Sequence, residues 1–182
     1  AFGFPLLAGV AVVRAIQAEI GLECGLKWPN DILCQGKKLG GVLIEMNADM
    51  DRVLDLFLGI GLNVNLPEAE LPRDLPFPAT SILAETGSSC SRVRLVQHIL
   101  AQLEELYTDF QHHGFEPIRQ AWKEVSLTLG QEVQASGSHG DSIHGRAEDI
   151  DHTGALIIRT STGALIPVSS GEITLQRSRG LG

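Results

Sequence analysis

Lys27-Trp28-Pro29-Asn30-Asp31, followed by Lys37-Lys38-Leu39-Gly40-Gly41-Val42-Leu43-Ile44-Glu45, gathers lysines, an Asn/Asp pair and adjacent glycines around a strand–turn–strand passage. That grouping suits an anionic, phosphorylated ligand. Lys38 is the first candidate for catalysis. It stands just before an apolar strand, where an ammonium held against a partly dry cavity could oppose negative charge developing on phosphate or carboxylate oxygens. The plainer reading makes it a solvated turn lysine beside Lys37. Pro29 restricts the backbone after Lys27, and Asn30 and Asp31 can fold back in Asx-type hydrogen bonds, which is a structural explanation for both. The functional reading makes Asp31 an anchor for a lysine or for a magnesium–phosphate complex.

Further along, Gly59-Ile60-Gly61-Leu62-Asn63 places glycines where backbone could approach a ligand or a crossing strand. Asn63 offers both a donor and an acceptor, as an adenine edge requires, or it is a satisfied turn residue. Neither Gly40-Gly41 nor Gly59/Gly61 fits a P-loop. Glu45 is a partner for a lysine or a solvated carboxylate. Ser81, Ser169 and Ser170 have no sequence-evident His/Asp partners, which argues against covalent serine chemistry.

The elements that must position these residues follow from periodicity. Leu6, Leu7, Val10, Val13 and Ile16 predict a helix over about 5–20 with one apolar face, Pro5 in its first turn, Gly9 permitting close packing and Gly21 as its stop. Glu23–Trp28 and Lys38–Met46 read as strands joined by a turn at Gln35-Gly36, and Asp55–Asn65 as a third. The proline-rich stretch 66–90 reads as a surface excursion. Val93, Val96, Leu100, Leu103, Leu106, Tyr107 and Phe110 mark an amphipathic helix closed by Gly114, and Glu116–Trp122 a shorter one. From about Leu127 five short strands are expected: Glu132–Ala135, Ser142–Asp149, Ala155–Arg159, Ala164–Val168 and Glu172–Gln176. Turns at Asp151–Gly154 and Ser161–Gly163 separate them, as in a small antiparallel barrel.

Composition narrows the function classes. The 182 residues carry 14 basic and 22 acidic side chains, a formal net charge of −8, with no Lys/Arg block, so no nucleic-acid contact is expected within this segment. No apolar run is long enough to span a membrane, and the apolar opening lacks a basic leader, so cytoplasm is the expected location. Cys24, Cys34 and Cys90 are odd in number and lack CxxC spacing, which fits a reducing compartment, with Cys24 and Cys34 as small buried hydrophobes. The six histidines form no zinc pattern, and no fixed metal site is expected.

Lys27–Asp31 with Gly36–Glu45, then Gly59–Val64, closely resembles the central domain of bacterial biotin–protein ligases, some of which double as biotin-responsive repressors. His144–Gln176, especially Gly154-Ala155-Leu156 and Gly171-Glu172-Ile173, resembles their small C-terminal domain. The resemblance implies an α+β fold. Residues 1–126 would be the C-terminal portion of a mixed-sheet catalytic domain of the class II synthetase and biotinyl/lipoyl-ligase type, and 127–182 an SH3-like β-barrel. It also implies ATP-dependent ligation of biotin, with magnesium, to a lysine of a biotin carboxyl carrier protein through biotinyl-5′-AMP. Carried onto this sequence, Lys38 touches activated biotin and α-phosphate. Gly41, Leu43 and Gly59 line the biotin pocket, Asn63 contacts adenine, and Lys27, Asn30 and Asp31 belong to the nucleotide side, Asp31 through Mg-ATP.

The resemblance also carries departures. Members have a Gly/Arg-rich G-R-G-R-x-G-R loop and an earlier strand region before the segment seen here, so the chain is expected to be a truncated portion of such an enzyme. Gln176 stands where some relatives have an arginine, with Arg177 or Arg179 as candidate substitutes. Two other expectations stay open: a lipoate–protein ligase, which shares the reaction class, and a non-catalytic carrier-binding or dimerisation fragment pairing through an edge at Val53–Asn65, which includes a homodimer.

Overall fold

A computed structural model describes residues 3–49, 52–73, 77–136 and 142–175. Gln176, Arg177 and Arg179 lie outside them. The first helix, α1, is Phe4–Ile20, with proline in its first turn, and it ends at Gly21, whose φ of 72° lets its N–H reach Gln17 O. The expected apolar face is there, but Ala8, Gly9, Ala11, Val12 and Ala15 are buried as well. The helix is therefore covered on nearly every side, as its uninterrupted apolar run requires. Gly9 does permit close approach: a β-carbon there would sit 3.1 Å from the Leu26 side chain.

Four strands follow, β1 (Gly25–Lys27), β2 (Asp31–Cys34), β3 (Lys37–Asp49) and β4 (Arg52–Leu62), in the spatial order β1-β2-β3-β4, each pair antiparallel. Parallel pairing is confined, among the described residues, to isolated bridges at Leu26–Ser126 and Lys38–Ala79. The expected two-strand reading of 23–46 is corrected to three. Ile32, Leu33 and Cys34 are buried in a strand of their own, which the turn chemistry of Asn30-Asp31 concealed. The Gln35-Gly36 turn stands as expected. Both residues have positive φ (49° and 74°), the pairing a two-residue type I′ hairpin needs, with Cys34 opposite Lys37.

The helical layer comprises α2 (Ile82–Thr86), α3 (Arg92–His113) and α4 (Glu116–Glu124). Ser81 and Ser91 cap α2 and α3 by accepting from Ala84 and Arg94 N–H groups, and Gly114 closes α3 as expected. The surface excursion predicted for 66–90 is overturned at 80–82. Thr80, Ser81 and Ile82 are buried because their backbone continues the sheet: Thr80 N–H donates to Lys38 O, Ile82 N–H to Asn63 O and Leu83 N–H to Val64 O. Of the two cysteines expected inside, Cys34 is buried and Cys24 half-buried.

The last five strands are β5 (Glu132–Ser136), β6 (Ser142–Ile150), β7 (Leu156–Arg159), β8 (Leu165–Val168) and β9 (Glu172–Leu175), each within a residue or so of its predicted span. They form an all-antiparallel sheet in the open order β8-β7-β6-β5-β9. Asp151 shapes the β6–β7 turn, its Oδ1 accepting from Thr153 N–H and Oγ1 and from Ala155 N–H. Among the described residues no helix is long and apolar enough to cross a membrane.

The second sheet is fastened directly behind the Lys27–Asp31 motif. Leu26 N–H donates to Val125 O and Leu127 N–H to Leu26 O, both 2.8 Å, so the chain between α4 and β5 runs beside β1. Trp28, 2% exposed, donates its backbone N–H to Thr128 Oγ1 (2.9 Å) and its indole Nε1–H to Gly154 O (3.0 Å). Arg119 and Lys123 on α4 meet Asp149 on β6. We expect Trp28→Phe, which keeps the ring but strands Gly154 O, to lower unfolding free energy by about 1–2 kcal/mol in a urea titration.

Candidate active site

Asp31 is the centre of the site. It opens β2 directly across from Lys27, the last residue of β1. Lys27 is 3% exposed; its Nζ lies 3.3 Å from Asp31 Oδ2 and 4.6 Å above the ring centroid of Phe77. Lys38 Nζ reaches the other carboxylate oxygen, Oδ1, at 2.5 Å. One carboxylate thus holds two lysine side chains. The expectation for Lys38 needs correction: its side chain is 42% exposed, and the dry, enclosed lysine is Lys27. Lys38 is not a free turn lysine either, because its ammonium is tethered.

The glycines do two different jobs. A β-carbon on Gly40 would fall 2.3 Å from Gly61 O, so Gly40 is required for β3 and β4 to come together. Gly41 pairs with Gly61, and Leu43 with Gly59, which puts these four on one face of the ladder. A β-carbon on Gly59 would meet nothing nearer than 3.7 Å, and one on Gly61 nothing nearer than 4.0 Å. Packing does not demand glycine at either place; the result is bare backbone next to the lysines. On Gly41 the nearest atoms would be Asn30 O, Asp31 Oδ1 and Lys38 Cε, at 3.3, 3.7 and 3.9 Å. The face is open among the described residues, with Leu43 59% exposed. Two apolar clefts lie elsewhere, where the opposite face of β4 meets α3 and, in the second, α1.

Lys27, Asp31, Lys38 and Gly41 are therefore brought into contact, while Leu43 and Gly59 continue the same face outward. Asn30 is tied to β3, its Nδ2 donating to Val42 O at 2.9 Å and its carbonyl accepting from Val42 N–H. Asn63 sits at the end of β4 with Nδ2 on Thr80 O at 2.9 Å, which links it to Lys38 through the Thr80 backbone. Three neighbours were not anticipated: Phe77, Thr80 and Glu85. Glu85 accepts from Lys37 Nζ (2.8 Å) and from Thr80 Oγ1. Burial pushes its carboxyl up, but the bonds from Lys37 and Thr80 outweigh that and hold it below its ordinary value of 4.5. The stabilisation from Glu85 is therefore complete above that value and is lost as pH falls through the lowered one. The sequence signal was present in Ser81, a helix cap, but proline content drew the segment outward.

The arrangement can hold an anion against bare backbone. It does not resemble a protein-built cation site. Both Asp31 oxygens face ammonium groups, and among the described residues no cluster of three or more His, Cys, Asp or Glu could hold a metal. Removing the central carboxylate should be severe. Asp31→Ala leaves Lys27 buried without a counter-charge, and we expect a loss of about 3–5 kcal/mol in chemical denaturation. Gly59→Ala should leave the same measurement within about 0.5 kcal/mol.

Residues 2–63 match the Biotin/lipoate A/B protein ligase family, and residues 128–175 match the Biotin protein ligase C terminal domain. The chain is 42% identical over 170 residues to the Bifunctional ligase/repressor BirA of Bacillus spizizenii, covering 93% of this chain and 52% of that protein. It is 32% identical over 171 residues to the Biotin--[acetyl-CoA-carboxylase] ligase of Mycobacterium tuberculosis, covering 92% and 60%. The chain thus spans about half the length of the first of these relatives. Among solved structures, the apo biotin protein ligase from Aquifex aeolicus superposes with a TM-score of 0.84 at 31% identity, covering 98% of this chain and 76% of that one. The same enzyme in complex with biotin and ATP gives 0.82 at 30% identity, covering 98% and 72%. At 31% identity and a TM-score of 0.84 over three quarters of a solved biotin protein ligase, the chain belongs to the biotin protein ligase family.

Proposed function

We propose that this chain carries the lysine half of a biotin-ligating active site. The biotin carboxylate displaces pyrophosphate from ATP to give biotinyl-5′-AMP, and a lysine amine of a biotin carboxyl carrier protein then takes the acyl group and releases AMP. The observation that supports this most is the Asp31-bridged lysine pair beside Gly41. Attack of the biotin carboxylate on the α-phosphate develops negative charge on phosphoryl oxygens. Lys38, tethered yet partly exposed, is the group able to meet it, and Asp31 keeps its ammonium near the bare backbone. Lys27 is buried and adds a fixed positive field. Gly41, Leu43 and Gly59 would take the biotin ring, Asn63 the adenine, and Asn30 would brace the loop. Magnesium would arrive on the triphosphate and neutralise its charge.

The finer assignments belong to this proposal. Residues 1–126 act as the C-terminal part of the catalytic domain, and 127–182 as an SH3-like module docked through Trp28. The cytoplasm is the fitting compartment. Biotin is favoured over lipoate because relatives matching along most of the chain are biotin ligases, while the N-terminal family match admits both. Self-association would use the β4 edge, unpaired among the described residues, and concentration-dependent sedimentation reads it directly.

Two measurements test the site. In the intact parent enzyme, with biotin-dependent pyrophosphate release followed at saturating biotin and ATP, Lys38→Ala should lower the rate about 100-fold or more; a near-normal rate rejects its role. Gly59→Ala, expected to fold normally, should weaken biotin at least several-fold by calorimetry, with lipoate run in parallel. Unchanged biotin affinity in the folded variant rejects the glycine-bared face as the biotin surface.

A further inference from the structure

Glu85 is nearly sealed off, its side chain 4% exposed, and both groups it binds lead back to the site. Lys37 precedes Lys38, and the two ammonium groups go to different carboxylates, Lys37 to Glu85 and Lys38 to Asp31. Thr80, the other partner, is built into the backbone around Lys38: Lys38 N–H donates to Pro78 O and Thr80 N–H to Lys38 O, both 2.8 Å. The carbonyl of Thr80 then receives Asn63 Nδ2. Asn63 is closed in from two further sides, its N–H on Leu39 O and its carbonyl under Ile82 N–H. A single short bridge thus joins the residue assigned to the phosphate with the residue assigned to adenine. The helix carrying Glu85 has only five residues; backbone bonds from Ile82 and Leu83 fasten its start, and Glu85 anchors its far end.

We propose that Glu85 is a positioning residue. Through Lys37 and Thr80 it clamps the 78–80 bridge, and the bridge fixes the spacing between Lys38 and Asn63, so that ATP use depends on Glu85 while biotin binding does not. This rests on the functional reading above. Glu85 itself does not touch substrate. It acts by removing freedom from a frame that must match two ends of one nucleotide.

The test, made in the intact parent enzyme, compares wild type with Glu85→Gln, and with Thr80→Val, which leaves the carboxylate paired to Lys37. In biotin-dependent pyrophosphate release we expect each variant to lose about tenfold or more in kcat/KM for ATP, with the biotin dissociation constant changed less than threefold. The double variant should lose little more than either single one, since both cut the same connection. Amide hydrogen exchange should quicken at Lys38 and Thr80 in each variant and stay unchanged at Ile16 in the α1 core. Equal losses for ATP and biotin, additive losses, or unaltered exchange at Lys38 and Thr80 overturn the proposal. Should Glu85→Gln fail to fold, Thr80→Val decides on the same readings. A wild-type protein without biotin-dependent pyrophosphate release defeats the functional reading instead, and the exchange data alone then judge the clamp.

Discussion

One carboxylate shared between a buried and a half-exposed lysine is the constraint around which the first sheet is arranged. Asp31 neutralises Lys27, which could not otherwise be tolerated at 3% exposure, and with its other oxygen it restrains Lys38. Both bonds require β1, β2 and β3 to be in fixed register. That register depends on Gly40, which lets β4 approach, and on the short hairpin between β2 and β3. The electrostatics and the strand geometry therefore specify one another. Neither lysine could be moved by a position without losing the arrangement.

Support comes from behind as well as from the sides. Trp28 immediately follows Lys27 and is held by Thr128 and Gly154, so the second sheet braces the loop that presents Asp31. On the opposite flank, Thr80 and Asn63 hold the start of β3 to the end of β4. The site is a strand junction gripped by two neighbours, and its open face is the one whose side chains have been reduced to hydrogen.

Much of this could be read from the residues. The helices over 4–20 and 92–113 and the five late strands announced themselves through apolar period and turn residues, since burial on one face leaves that imprint. Lys38 stood out by its place before an apolar strand and Gly41 through family resemblance, and their contact with Asp31 is a matter of geometry. What could not be read were effects of pairing across distance. Asp31–Cys34 is too short to show alternation, and its first residue belongs equally to turn chemistry. Thr80 is buried because its backbone joins Lys38, a fact composition cannot reveal in a stretch containing four prolines. Which lysine would be enclosed was likewise undecidable, because Lys27 and Lys38 stand in similar local company and differ only in what folds over them.

The hairpin at Gln35-Gly36 has a consequence for how such a protein can vary. Consecutive strand residues point to opposite sides, and this tight reversal decides that Lys37 turns toward α2 while Lys38 turns toward β2. An extra residue in that reversal would have to be absorbed by a bulge, like the one between Ile32 and Leu33, for both lysines to keep their carboxylates. Loop size, free to vary on most protein surfaces, is thus coupled here to the placement of two ammonium groups, whereas the residues at the tip need only accept a left-handed backbone.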